Sequence, residues 1–186
     1  TVADLGAPAP AALGARAFAG TGRHRGPRVL VAGPMLSVPG GYMTTIEGGK
    51  LVEQGVVVPL EGPQHAHAVV RDLAAQGVDL IKVAVQEYNY DSQPLPMMSP
   101  EILAAVIEEA HLQDLRVLAH AISIAGYQRA VSAGVDAMVH GPLEAAPPEL
   151  VATLATKRLP VAPTPGPPWT SPMLARPRTS SRPCIP

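Results

Sequence analysis

Three short apolar runs organise the middle of the chain, and each carries one basic or imidazole side chain near its end. They read Asp79-Leu-Ile-Lys-Val-Ala-Val85, Arg116-Val-Leu-Ala-His-Ala121 and Ala137-Met-Val-His-Gly141, and each precedes a helix-like segment. Strands alternate their side chains, so Leu80, Lys82 and Ala84 share one face while Ile81, Val83 and Val85 share the other. If the second face packs on helices, Lys82 points into the interior of the sheet. A buried ammonium is costly unless it is paired, neutralised or chemically converted. His120 and His140 close their own runs in the same way, which predicts that all three side chains meet at one rim.

Around these runs the pattern alternates between strand and helix. Residues 11–20 are Ala-rich and helix-compatible, and residues 27–32 read as a strand entering a long Gly/Pro-rich loop over 33–62. Long loops in compact domains are usually functional or mobile. Residues 64–76 predict a helix stopped by Gly77, in the position past the last turn that glycine favours. Ser99-Pro100 supplies an N-cap and a first-turn proline for the next helix, in which Ile102, Val106 and Ala110 recur as a buried stripe. Further helices are expected around 126–133 and from Pro147 to near Lys157, with a last strand starting near Leu159. Such alternation predicts a parallel α/β fold. The near-identical turns Gln76-Gly-Val-Asp79 and Ala133-Gly-Val-Asp136 favour a repeated βα barrel unit. Counting a strand at the start, near Val2, gives about six strands, whereas a closed (β/α)8 barrel takes about 200 residues or more. The expectation is a partial TIM-type barrel over residues 1–164.

Composition narrows the function classes. Fourteen Lys and Arg against fifteen Asp and Glu leave a net charge of −1. That balance gives no reason to invoke nucleic acid or an anionic membrane as partner. The hydrophobic fraction is 47% with only 3% aromatic, so Ala, Val, Leu and Ile build the core, as buried parallel strands require. The single cysteine, Cys184, excludes an internal disulfide and makes a thiol nucleophile a poor reading. No apolar stretch reaches the roughly 18–20 residues that span a bilayer. With no signal peptide visible, a cytoplasmic location is expected, although the chain starts at Thr1 and not at Met. Residues 165–186 are Pro- and Arg-rich without hydrophobic period, and disorder is expected there.

The quoted stretches, together with Thr1-Val-Ala-Asp-Leu-Gly, Gly26-Pro-Arg-Val-Leu-Val-Ala-Gly-Pro and Ile107-Glu-Glu-Ala-His, resemble the amidohydrolase superfamily in its imidazolonepropionase-like and metal-dependent prolidase branch. The resemblance implies strands two to seven of the barrel. It implies that Lys82 is the strand-four lysine, converted by CO2 to a carbamate, and that His120 and His140 are metal ligands from strands five and six. It further implies one or two divalent ions, zinc foremost, and hydrolysis of an amide or cyclic amide C–N bond by a metal-activated hydroxide. Zinc accepts imidazole nitrogen and carboxylate-type oxygen, which suits such a donor set. The family's His-x-His pair on strand one and catalytic Asp on strand eight have no counterpart in this sequence. No catalytic base is therefore assigned here, and the chain reads as an incomplete barrel. His65-Ala-His67 begins a helix, where imidazoles two apart diverge by about 200°, so the pair cannot substitute and is read as solvated.

Other readings stand beside this one. One has Lys82 snorkelling from a strand end, and another has it serving as the Schiff-base amine of a lyase or aldolase. A non-catalytic truncated barrel is a further alternative. Tyr88 and Tyr90 are candidate substrate-lining residues above Lys82. His111 is read as a surface or capping residue, and His24 in its basic turn has no assigned partner. Gly40-Gly41 lacks the following helix that a phosphate cradle needs. The expected partner is a small amide or peptide-like substrate, with homo-oligomerisation left open.

Overall fold

In this computed structural model residues 1–23, 25–89 and 93–164 are described. Their elements follow in the order β1 (Val2–Asp4), α1 (Ala9–Gly20), β2 (Val29–Val31), β3 (Met35–Ser37), α2 (Lys50–Glu53), β4 (Val57–Pro59), α3 (Pro63–Gln76) and β5 (Leu80–Ala84). Then come α4 (Pro100–Leu112), β6 (Arg116–His120), α5 (Ile124–Ala133), β7 (Ala137–Val139), α6 (Pro148–Lys157) and β8 (Val161–Ala162). Every named strand pair is parallel: β1 with β2, and a six-stranded sheet in the order β4-β3-β5-β6-β7-β8. This is the α/β architecture of a partial TIM-type barrel. No helix among the described residues is long and apolar enough to cross a membrane.

The loop expected over 33–62 is in part structured. It contains β3, α2 and β4, so six expected strands become eight segments. Their three-residue length hides them, because alternation needs about four residues to register. Gly33, with φ 74°, and Pro34 separate β2 from β3. Glycine tolerates that left-handed turn and proline removes a ladder donor, so one run of strand is cut into two.

The repeated Gly-Val-Asp turns have one physical explanation. Gly77 and Gly134 take left-handed φ of 85° and 94° and end α3 and α5. Val78 and Val135 are buried beneath them. Asp79 then donates its backbone N–H to the Val31 carbonyl at 2.7 Å and accepts the Val31 N–H on its carboxylate at 2.8 Å. Asp136 repeats this on Val117, at 2.9 and 2.7 Å. Asp79 clips the start of β5 to the end of β2, and Asp136 clips the start of β7 to β6. Arg16 pairs with Asp79 at 2.7 Å, and His111, a surface residue as expected, lies 3.0 Å from Asp136.

The two sheet faces separate cleanly. Ile81, Val83, Val85, Val117, Ala119 and Met138 pack under the helices in the main core, whereas Met35, Val57 and Ala84 form a second cluster with Tyr42, Met43, Leu51 and Val52. In α4 the buried stripe is Leu103, Val106, Ile107 and Ala110, with Ile102 only half-buried, so the stripe is shifted by one residue at its start. Ser99 caps this helix by accepting the Ile102 N–H. Glu109 is buried where α4 meets α3 and is held by Arg71 at 2.9 Å, Gln113 at 3.0 Å and His67 at 3.2 Å. Arg71 above all holds its carboxyl below the usual range. His67 is therefore part of an interhelical contact and not simply solvated, a correction that follows from Glu109 facing inward. His65 accepts the Glu61 N–H at 3.3 Å, in keeping with the helix start.

Gly126 marks the tightest approach of helix to sheet. A Cβ at this position would lie 2.3 Å from the Val85 carbonyl oxygen and 3.1 Å from the Ala121 Cβ. An exposed Gly→Ala change in a helix ordinarily gains about 1 kcal/mol. Here Gly126→Ala should destabilise, by about 1–3 kcal/mol or more, as measured by urea denaturation. A gain in stability would mean that α5 sits further from β5 than described.

Candidate active site

The site grows from the inner face of the sheet. Register pairs Met35 and Leu118 with Lys82, and Ala84 and Val139 with His120, so Lys82 lies one step below His120 on the same face. Both side chains are buried, at 3% and 2% exposure. The expected alternation of β5 and β6 is thus observed.

His140 arrives by another route. The ladder partner of His120 is Val139, so unbroken alternation would turn His140 toward the helices. Instead His140 adopts a left-handed φ of 72°. Its ring meets that of His120 edge-on, with centroids 4.7 Å apart. A left-handed conformation costs a non-glycine residue about 1–2 kcal/mol, and such strain concentrates at functional sites. Three contacts hold it. The His140 N–H donates to the Ala162 carbonyl at 2.9 Å, Tyr127 donates its hydroxyl to the His140 carbonyl, and Nδ1 lies 2.7 Å from the Thr164 hydroxyl.

Electrostatically the trio is strained. No hydrogen bond or ion pair engages the Lys82 amine among the described residues, and burial pushes it down to about 8. Burial first, then the Lys82 charge and His140, push His120 down to about 2, so it stays neutral at physiological pH. Burial and Lys82 also lower His140. An ammonium near two imidazoles repels their protonation. An anionic carbamate at the same atom would reverse both effects.

Residues that sequence reasoning missed complete the surroundings. Tyr42, from the loop after β3, stacks on His120 at 4.3 Å with planes 15° apart. Gln86, 1% exposed, lies 2.6 Å from His120 Nε2. Its signal was available, since 82, 84 and 86 continue one alternation; nothing marked Tyr42. Tyr88 donates its hydroxyl to Glu144 at 2.9 Å, while Glu144 also accepts the Ile124 N–H at 2.9 Å. Burial and that carboxylate raise the Tyr88 hydroxyl above its ordinary value. Ser123 donates to Glu87 and caps α5. Tyr90 and His24 lie outside the described residues.

No group of three His, Cys, Asp or Glu converges among the described residues. The donors on offer are two imidazoles and the Lys82 amine. That set fits a divalent cation once the amine carries an oxygen donor, because two neutral nitrogens and a carboxylate-type oxygen match the ligand preferences of zinc.

Over most of the chain the fold is shared with solved prolidase and amidohydrolase structures, in keeping with an amidohydrolase-superfamily fold. A Xaa-Pro dipeptidase structure with methionine bound in its active site is 27% identical, with a TM-score of 0.69 over 87% of this chain and 40% of that one. An amidohydrolase structure matches the fold at 24% identity and TM-score 0.72, covering 94% of this chain and 48% of that one. Proteins of Mycobacterium tuberculosis and Mycobacterium bovis, both described only as uncharacterized, are 30% identical over 116 residues, 62% of this chain and 29% of theirs. No protein-family profile matches. The chain therefore spans under a third of those mycobacterial relatives and under half of the solved structures.

The buried amine makes a measurable prediction. Lys82 binds its proton less tightly folded, at about 8, than at its ordinary 10.5. The unfolded chain then holds more protons between those pH values, so stability rises across that window and the cost is constant below it. At about 1.4 kcal/mol per pH unit the cost near pH 7 is about 3 kcal/mol. Lys82→Met should recover stability of that order at pH 7 and flatten the rise between pH 8 and 10.5. Urea denaturation of both chains across the window checks it, and equal pH profiles would show that the amine is not desolvated.

Proposed function

We propose that this chain contributes the Lys82, His120 and His140 side of a metal-dependent hydrolase acting on amide or cyclic amide C–N bonds. The convergence of a buried, unpartnered lysine with two neutral imidazoles at one rim carries the reading. The 27% identity to a Xaa-Pro dipeptidase structure supports the C–N assignment. Lys82, as its CO2-derived carbamate, would hold a divalent ion together with His120 and His140. When bound, the ion would supply Lewis acidity for the scissile carbonyl and depress the pKa of water.

The chain's own residues do the positioning. Tyr42 covers one face of the His120 ring, which limits water there and keeps the local dielectric low. Thr164 orients His140 through its Nδ1. Tyr88, steadied by Glu144, lines the approach to the site as a substrate-contacting residue. Its hydroxyl proton is engaged by a carboxylate, so the phenol oxygen faces substrate as an acceptor. No described residue is assigned the proton shuttle.

A second reading rests on one observation. An amine pushed down to about 8 is partly neutral near physiological pH, as Schiff-base chemistry requires. Borohydride trapping of a carbonyl substrate on Lys82 would favour it over the hydrolase.

Two tests bear on the proposal. With zinc and bicarbonate, the full gene product should turn over at least one member of a panel of hydantoins, lactams and Xaa-Pro dipeptides. Lactone or phosphotriester hydrolysis alone would overturn the C–N assignment. Lys82→Ala, His120→Ala and His140→Ala should each lower zinc bound per chain. Unchanged stoichiometry in all three would remove the metal from the mechanism.

A further inference from the structure

Gln86 connects the candidate site to the loop above it through one fully engaged amide. Its Nε2 donates to the Tyr88 carbonyl, and its Oε1 lies 2.6 Å from His120 Nε2. The orientation of that amide follows from chemistry. A backbone carbonyl only accepts, so the NH2 end must face Tyr88. The end facing His120 is then an oxygen that also only accepts, and His120 must bring the proton. A neutral imidazole has one N–H, so a proton on Nε2 leaves Nδ1 with a free lone pair. No hydrogen bond engages His120 Nδ1 among the described residues. Stacking on Tyr42 on one face and the edge contact with His140 restrain the ring.

We infer that Gln86 is a positioning residue that fixes His120 as its Nε2–H tautomer and leaves Nδ1 as the ring's only coordinating atom. Its tautomer assignment stands on the hydrogen bonds alone; the coordinating role rests on the metal reading above. The same amide ties the Tyr88 backbone to the ring, and Tyr88 in turn reaches Glu144. The substrate-side loop and a candidate ligand thus share one buried side chain.

The test is long-range proton–nitrogen NMR of the imidazoles in the metal-free chain at pH 7, with the His120 signals assigned from their loss in His120→Gln. Wild type should show His120 protonated at Nε2 and bare at Nδ1. Gln86→Glu keeps an acceptor for His120 while removing the donor to Tyr88, and should retain that tautomer. Gln86→Met removes the acceptor, and should populate the Nδ1–H form and weaken zinc binding by about 10–100-fold, a loss that Gln86→Glu should not share. A wild-type ring protonated at Nδ1 overturns the inference without any variant having to fold. So does Gln86→Met with an unchanged tautomer ratio. The expected tautomers with no zinc binding in wild type would leave Gln86's tautomer role standing and remove the coordinating role together with the metal reading.

Discussion

Lys82 occupies the middle of β5 at 3% exposure, with no acceptor for its amine among the described residues and two imidazoles close enough to be depressed by its charge. Much of the architecture around it can be understood as surrounding that one desolvated nitrogen. Ile81 and Val83 must pack under helices for Lys82 to face inward. His120 must remain neutral, and so needs a partner for its single N–H. The loop after β5 supplies that partner two residues past the end of the strand. The cost of the buried amine is balanced by folding energy elsewhere, in the apolar layer between sheet and helices. Sites that chemistry requires commonly violate one local rule in this way while the rest of the sequence obeys it.

The fold was largely legible because its signals are redundant. Helices α3, α4 and α5 carry apolar periodicity together with a terminal glycine or a serine cap, and the Gly-Val-Asp turns announce themselves twice. Lys82 and His120 could be read for the same reason, since alternation over five residues leaves little freedom in which face each side chain takes. The approach of His140 to His120 does not follow from alternation. Its strand has three residues, and a backbone dihedral, not the pleat, aims the ring. Segments β3 and β4 escaped notice because three residues cannot display a period, and Pro59 reads as a strand breaker when it in fact sits at a strand end. Tyr42 was invisible because its contact with His120 depends on how a long connection folds back. Sequence carries no local mark of that path.

Glu109 carries no local mark of its burial in the sequence, and its neighbour Glu108 is exposed. Glu109 instead lies against α3, where Arg71, His67 and Gln113 satisfy its oxygens. The largely exposed Arg71 side chain reaches the carboxylate with its head, which lets an otherwise prohibitive charge remain inside. The contact fixes the rotation of α4 against α3. That rotation in turn determines which residues form the stripe beneath the sheet.

The left-handed backbone at His140 has a consequence in time as well as in space. Two of the contacts that restrain it, the Ala162 carbonyl and the Thr164 hydroxyl, come from the last strand and the residues just beyond it. During synthesis His140 emerges from the ribosome before either of them. Until β8 docks, nothing from that side opposes relaxation of His140 to an ordinary strand conformation, in which its ring would turn away from His120. Lys82, His120 and Gln86 can come together from β5 and β6 alone. The third side chain joins only when β8 is in place, so its approach to His120 and the docking of β8 on β7 are a single event.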